Sequence, residues 1–279
     1  MLNAISIDVE DYFHPSEVQS SMAPLDWDTL PSRVEAATAR CLDLLARHSV
    51  RGTFFVLGWV AEKHPGVVRR IAAAGHEIAC HSYAHALVYD LGPERFRFDT
   101  QRATAAIADA CGVQPRGYRA PSYSITSRSL WALDILAELG FHYDSSIFPI
   151  GHDRYGIPGY PRQARAVSTA AGVLLEIPPA TVQLSAHRVA PVGGGGYLRL
   201  LPYAYTAAGV RRLNHVDHMP ACLYFHPWEI DPQTPRLANG ALARLRTYLG
   251  LGSMERKLDR LLAAFRFAAI ADVFPVHQA

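Results

Sequence analysis

The chain has 279 residues, 49% of them hydrophobic, enough to bury one large core, and an α/β barrel of this length is routinely a single domain. Its 27 basic and 25 acidic residues leave a formal net charge of +2, too weak a field to argue for nucleic acid or an anionic membrane, so the expected partner is neutral and polar. Cys41, Cys80, Cys111 and Cys222 stand far apart without a C-x-x-C pair, which argues against a zinc knuckle or redox dithiol and for buried thiols in a reducing compartment. The opening MLNAISIDVEDYF lacks the basic and apolar regions of a secretory signal, and no stretch has the apolar length of a membrane helix.

Residues 2–7 read as a short buried strand that delivers Asp8, Glu10 and Asp11 at its C-terminal end. Ser32-x-x-Glu35 has the form of a capping box opening a helix to about residue 47, and a strand at 52–57 (GTFFVL) completes a βαβ unit. A helix over about 66–74 stops at Gly75, and the strand HEIAC leads directly into His81. The alternation continues with a helix over about 93–110, the strand GYRA carrying Arg119, a helix over 127–139 ending at Gly140, and the strand FHYD carrying Asp144.

Between about residues 151 and 200 the pattern breaks into Pro- and Gly-rich stretches, GIPGYP and PVGGGG, read as long loops or a short hairpin with one credible strand at 173–177. The strand ACLYFHPWEI then delivers His226, and residues 231–279 read as a helical extension packed on the barrel, with a helix at 254–265. Strands alternating with helices imply a mainly parallel sheet, and polar residues gathered just after successive strands suit the active-site face of a closed barrel; an open doubly wound sheet is the alternative.

The strongest local signal is GHEIACHSYAHA, in which His81 and His85 lie four apart after a strand; on one helical turn they would share a face and offer two imidazole nitrogens to one ion. An isolated H-x-x-x-H is more often a pair of surface or capping histidines. The acidic group Asp8, Glu10 and Asp11 at another strand end changes the weighting, because two histidines and a carboxylate leave coordination positions open for water and substrate. Its bland alternative is a solvated turn with Asp11 capping a helix. Arg119 is placed to orient an adjacent carboxylate, the alternative being an ordinary surface arginine. His226 ends an apolar strand, where it suits a general acid, although a lone histidine is more commonly a hydrogen-bonded core residue. Trp228 beside it is either a stacking surface for a sugar ring or a core tryptophan.

Taken in order, these segments resemble the polysaccharide deacetylase family with the NodB homology domain, carbohydrate esterase family four, over roughly residues 3–230. The resemblance implies a distorted (β/α) barrel of about seven strands forming one catalytic domain over 1–230, with His81 and His85 as metal ligands. The family's first motif has two adjacent aspartates, base then ligand, where this chain has DVED; Asp8 then matches the base, and the ligand is Glu10 or Asp11. RAPS at 119–122 resembles the third motif, with Ser122 where tyrosine is usual and Tyr123 following. LYFH ending at His226 resembles the fifth, whose histidine is the general acid, and Asp144 falls where another polar active-site residue is often found.

What this implies is a hydrolase that removes N-acetyl groups from amino sugars and releases acetate, using a divalent metal, zinc first and cobalt, nickel or manganese as alternatives. Ser122 and Tyr123 would offer a backbone N–H to the oxyanion, and Asp144 and Trp228 would contact substrate. DVEDYF and FHPWEID are closer to the subgroup found with bacterial exopolysaccharide synthesis and export genes, which implies a cytoplasmic protein, peripheral at the inner membrane, that meets an N-acetylated polysaccharide and the export machinery. The competing expectations are an amidohydrolase acting on peptidoglycan or a small cyclic ureide or imide, and a non-catalytic carbohydrate-binding component of an export complex.

Overall fold

A computed structural model describes residues 1–20, 26–185 and 188–275; parts of the two segments discussed above, residues 186–187 and 276–279, lie outside the described residues. In chain order the elements are β1 (Leu2–Val9), α1 (Ser16–Ser20), α2 (Val34–Arg47), β2 (Thr53–Val56), α3 (Gly58–Lys63), α4 (Pro65–Ala73), β3 (Glu77–Cys80), α5 (Val88–Cys111), β4 (Gly117–Tyr118), α6 (Trp131–Glu138), β5 (Tyr143–Asp144), β6 (Arg165–Thr169), β7 (Gly172–Glu176), β8 (Thr181–Ser185), β9 (Arg188–Pro191), α7 (Gly195–Leu200), α8 (Tyr203–His215), β10 (Cys222–Phe225), α9 (Ala241–Tyr248), α10 (Leu251–Ala264), β11 (Arg266–Ala268) and α11 (Ile270–Val273).

Seven parallel strands run in the order β10-β1-β2-β3-β4-β5-β7, with β6 antiparallel on β7. The sheet curls until its ends approach, and the N–H of Ala180, just past β7, donates to the carbonyl of Cys222 in β10 at 3.0 Å. This is the mainly parallel sheet the alternation implied, curled into the distorted barrel that the resemblance implied.

The period-2 alternation of strand side chains sorts the residues into two layers. Ala4, Phe55, Ala79, Tyr143, Ile177 and Cys222 cluster together, and Ile270 of α11 joins them as a plug. Their strand neighbours Ile5, Ile7, Phe54, Val56, Ile78, Leu223 and Phe225 belong instead to the large core shared with the helices. Each fully buried aliphatic or aromatic side chain in that layer contributes about 1.5–3 kcal/mol, which holds the strand ends in fixed relation.

Several elements differ from the sequence expectation. The helix of the 93–110 segment begins earlier, at Val88, and bends where Gly92 takes φ 73° immediately before Pro93. Helix α2 has no side-chain cap from the Ser-x-x-Glu pattern, for a reason given below. The 151–200 segment holds the β6–β7 hairpin, the β8–β9 hairpin and helix α7, and helix α8 follows directly after it. Helix α8 leaves little apolar period in the sequence because its buried face mixes Val210 and Leu213 with the small or polar Thr206, Ala207, Gly209 and Asn214. After residue 230 the chain forms α9 and α10 and then returns β11 to the main sheet, parallel to β1. Among the described residues no helix is long and apolar enough to cross a membrane, and the four cysteines are free.

Candidate active site

The inward face of β1 rises from Ala4 through Ser6 to Asp8, and Arg119, just past β4, lies fully buried beside it. Its guanidinium donates from Nη1 to Ser6 Oγ and to Asp8 Oδ1, both at 2.7 Å, from Nη2 to Ser145 Oγ at 2.9 Å and from Nε to the Ser145 carbonyl at 3.2 Å. Burial opposes the charged guanidinium, yet the Asp8 carboxylate raises it above its ordinary value, so this is an ion pair locked in place.

One residue above β1, Glu10 meets the two histidines. Its Oε1 lies 3.0 Å from Nε2 of His81 and 3.0 Å from Nε2 of His85, and all three side chains are buried. The histidines do not share a helical turn; they sit on a loop between β3 and α5 in which Ser82 and His85 take φ of 63° and 51°. The carboxylate of Asp99 in α5 holds that loop by accepting the N–H groups of Tyr83 and Ala84 at 2.8 and 3.1 Å, while the Ser82 and Tyr83 carbonyls accept from Gly58 and Trp59 at the start of α3. Nδ1 of His81 is 2.8 Å from the Arg119 carbonyl, which places the proton there and turns the Nε2 lone pair toward Glu10. Burial would raise the Glu10 carboxyl, but His85, His226 and His81 hold it well below the ordinary carboxylate range.

Glu10, His81 and His85 are the group among the described residues whose donor atoms are close enough to hold one metal ion. The set fits: donors about 2 Å from a common ion stand roughly 3 Å from one another, and two imidazoles with one carboxylate suit zinc and similar ions with positions left over. Asp11, the other candidate ligand, is committed elsewhere. Its Oδ2 accepts from Ser32 Oγ at 2.6 Å and from the N–H groups of Arg33 and Val34 at 2.9 and 3.1 Å, and its Oδ1 from the N–H of Tyr12 at 2.9 Å. It therefore caps α2 across sequence, which is why the local capping box does not form.

His226, one residue past β10, faces this cluster with Nε2 3.9 Å from Asp8 Oδ2 and 4.0 Å from Glu10 Oε1. On its other side Nδ1 lies 2.9 Å from Glu229 Oε2, which also accepts the His226 backbone N–H at 2.9 Å. Glu229 Oε1 accepts from Arg199 Nε of α7 at 2.7 Å. Burial pulls the His226 imidazolium down, but Glu229, Glu10 and Asp8 push it up to about 9. Burial likewise works against ionised Glu229, yet His226 and Arg199 hold it down to about 2. Glu229 was readable as an acid three residues beyond His226 with Pro227 between; Arg199 carried no local signal.

These groups line a cavity of about 220 Å³ whose walls include Ser16, Ser122, Tyr155 and Tyr197. Ser122 and Tyr123 both take left-handed φ, 50° and 53°, an uncommon pair for non-glycine residues and one that marks a shaped site. The Tyr123 N–H donates to the Ala120 carbonyl at 3.1 Å, so it is engaged. Trp228 also lines the cavity, but at 5% exposure its ring is stacked on His226, with centroids 5.5 Å apart, and is not a free platform for a sugar. Asp144 does not reach the cavity. It is fully buried, accepts the Ser146 hydroxyl at 2.5 Å, and through it steadies the Ala120 N–H, which donates to Ser146 Oγ at 2.7 Å; the position at a strand end was right and the substrate contact was not.

The glycine run in PVGGGG has a steric reason. A Cβ on Gly194 would run into the Tyr224 ring, and one on Gly195 would lie 3.3 Å from Cε1 of His226. The loop passes the site at backbone distance.

Comparison with known proteins gives two family matches that meet in mid-chain. Residues 16–143 match the polysaccharide deacetylase family, and residues 145–275 match a domain of unknown function, DUF3473. Similar curated proteins include a peptidoglycan-N-acetylglucosamine deacetylase of Bacillus cereus, 35% identical over 98 residues, 35% of this chain and 36% of that protein. A chitooligosaccharide deacetylase of Rhizobium leguminosarum bv. trifolii is 37% identical over 109 residues, 35% of this chain and 51% of that protein. The chain thus spans about half or less of the length of these relatives. A crystal structure from Mycobacterium smegmatis that carries the name of polysaccharide deacetylase superposes with a TM-score of 0.63 at 22% identity, covering 97% of this chain and 87% of that one, a likeness of fold.

Proposed function

We propose, from the match of residues 16–143 to the polysaccharide deacetylase family, that the chain is a metal-dependent hydrolase of that kind, removing N-acetyl groups from the amino sugars of a bacterial exopolysaccharide. The observation that carries the reading is the convergence of Glu10, His81 and His85 on one point, with Asp8 and His226 facing each other beside it.

Each residue has a defined task. Glu10, His81 and His85 would hold the divalent ion, zinc by preference, which when bound supplies Lewis-acid polarisation of the acetamide carbonyl and of water. Asp8, fixed by Arg119, takes a proton from the attacking water. As the carbon–nitrogen bond breaks, Nε2 of His226 delivers a proton to the departing nitrogen, so that acetate and a free amino sugar are formed. With Tyr123 engaged, the Ser122 N–H is the backbone donor of this turn left for the oxyanion.

Relatives named for chitooligosaccharide and peptidoglycan N-acetylglucosamine deacetylation support an N-acetylated saccharide as substrate. The DVEDYF and FHPWEID segments support exopolysaccharide as the polymer. Zinc-loaded protein should release acetate from N-acetylglucosamine oligomers and leave allantoin intact. Ring opening of allantoin without acetate release would replace this reading by the cyclic-amide one.

A further inference from the structure

Resting on the deacetylase reading, we propose that Arg199 is a positioning residue for the general acid, and that the half of the chain matching a domain of unknown function completes the catalytic site through it. Asp8, Glu10, His81, His85 and Arg119 precede residue 144, whereas His226, Glu229 and Arg199 all fall within 145–275.

Arg199 is 3% exposed and uses three edges of its guanidinium fork. Nε donates to Glu229 Oε1 at 2.7 Å, Nη2 to the Arg246 carbonyl at 2.7 Å and Nη1 to the Leu249 carbonyl at 3.1 Å. Those carbonyls belong to the corner between α9 and α10. Lys257 of α10 binds the end of α7 from the same side, donating to the carbonyls of Leu198, Arg199 and Leu201 at 3.3, 2.6 and 2.8 Å. The guanidinium is therefore anchored on a rigid corner before it meets Glu229.

Glu229 has no freedom left once Arg199 is in place. One oxygen takes Arg199, and the other takes both the backbone N–H and Nδ1 of His226. With Trp228 stacked along the ring at an interplanar angle of 23°, the imidazole is held so that Nε2 points toward Asp8. Without Arg199 the Oε1 oxygen becomes a buried anion lacking its donor, and Glu229 must turn or recruit water, either of which releases the imidazole. A misaimed acid slows the bond-breaking step while substrate still binds, because proton delivery acts in the transition state.

Full-length, zinc-loaded Arg199→Met is compared with Arg199→Lys, Glu229→Gln and the Arg199→Met/Glu229→Gln double variant for kcat, KM and bound zinc. Arg199→Met should lose about tenfold or more in kcat with KM and zinc content unchanged, Arg199→Lys should recover part of the loss, and the double variant should be no worse than the worse single. A rise in KM at constant kcat would make Arg199 a substrate contact and overturn the proposal, as would multiplicative losses in the double variant. Should Arg199→Met fail to fold, Arg199→Lys carries the same comparison, because an ammonium cannot span the three acceptors. Independently of turnover, the His226 Nδ1 proton should give a downfield NMR signal that Glu229→Gln removes and Arg199→Met shifts or broadens; an unmoved signal overturns the proposal even if the protein deacetylates nothing.

Discussion

Asp8 and His226 face each other with Oδ2 and Nε2 3.9 Å apart, beside the point where Glu10, His81 and His85 converge. Each is anchored from behind by a separate buried arginine, Arg119 on Asp8 and Arg199, through Glu229, on His226. On the proposed reaction, the proton acceptor and the proton donor would thus be held by different parts of the chain.

Asp8→Asn and His226→Ala should each lower kcat by about 10²–10⁴ while leaving zinc bound, since neither side chain belongs to the proposed ligand set. Acetate release measured alongside metal analysis checks this. Loss of zinc from His226→Ala would show that the histidine ligates the ion.

The acidic turn offers a sharper comparison. Glu10→Gln, His81→Ala and His85→Ala should each abolish tight zinc binding, and a chelator should lower the Tm of the wild-type protein until zinc is restored. Asp11→Ala should keep its zinc and instead lose about 2 kcal/mol of stability, because the N–H groups of Tyr12 and Arg33 lose their acceptor and that of Val34 keeps only Ser32 Oγ at 3.3 Å. Elemental analysis and thermal unfolding of the four variants separate the two roles.

Asp144 and Glu176 form a buried carboxyl pair in which Asp144 Oδ2 and Glu176 Oε2 have no other partner. Burial raises both, Asp144 to about 6, and Glu176, with the Asp144 charge adding to the effect, well above its ordinary value. Their folded-state values exceed the unfolded ones, so the stability they contribute is complete in acid and is lost as pH rises through about 6 and beyond. Tm should fall between pH 5 and pH 8, and Glu176→Gln, which mimics the protonated partner, should flatten that fall. An identical slope in the variant would exclude the pair as its cause.

Much of the barrel was readable because its strands are short apolar runs bounded by glycines and amphipathic helices, and because the polar residues that end them stand out. Asp8, His81, His85, Arg119 and His226 were visible for that reason. The choice between Glu10 and Asp11 was not, since it depends on α2, more than twenty residues later, presenting its bare N–H groups to Asp11. The histidine pair was found with the wrong local geometry: H-x-x-x-H spacing suits a helix, and only Asp99, fourteen residues beyond His85, shows that a loop is held in shape instead. Arg199 and the carbonyls that hold it lie beyond any local pattern, because their meeting is decided by the packing of α7 against α10.

β1 precedes the other described strands in sequence and lies between β10 and β2, with Ala4 opposite both Cys222 and Ala268. Its pairings with β10 and β11 therefore wait until residues 222–225 and 266–268 have been synthesised. Such long-range pairing makes folding slow and leaves an apolar strand in need of protection on the ribosome. Loss of the segment that carries β11 strips β1 of a neighbour, so damage around residues 266–268 is felt at residues 2–4.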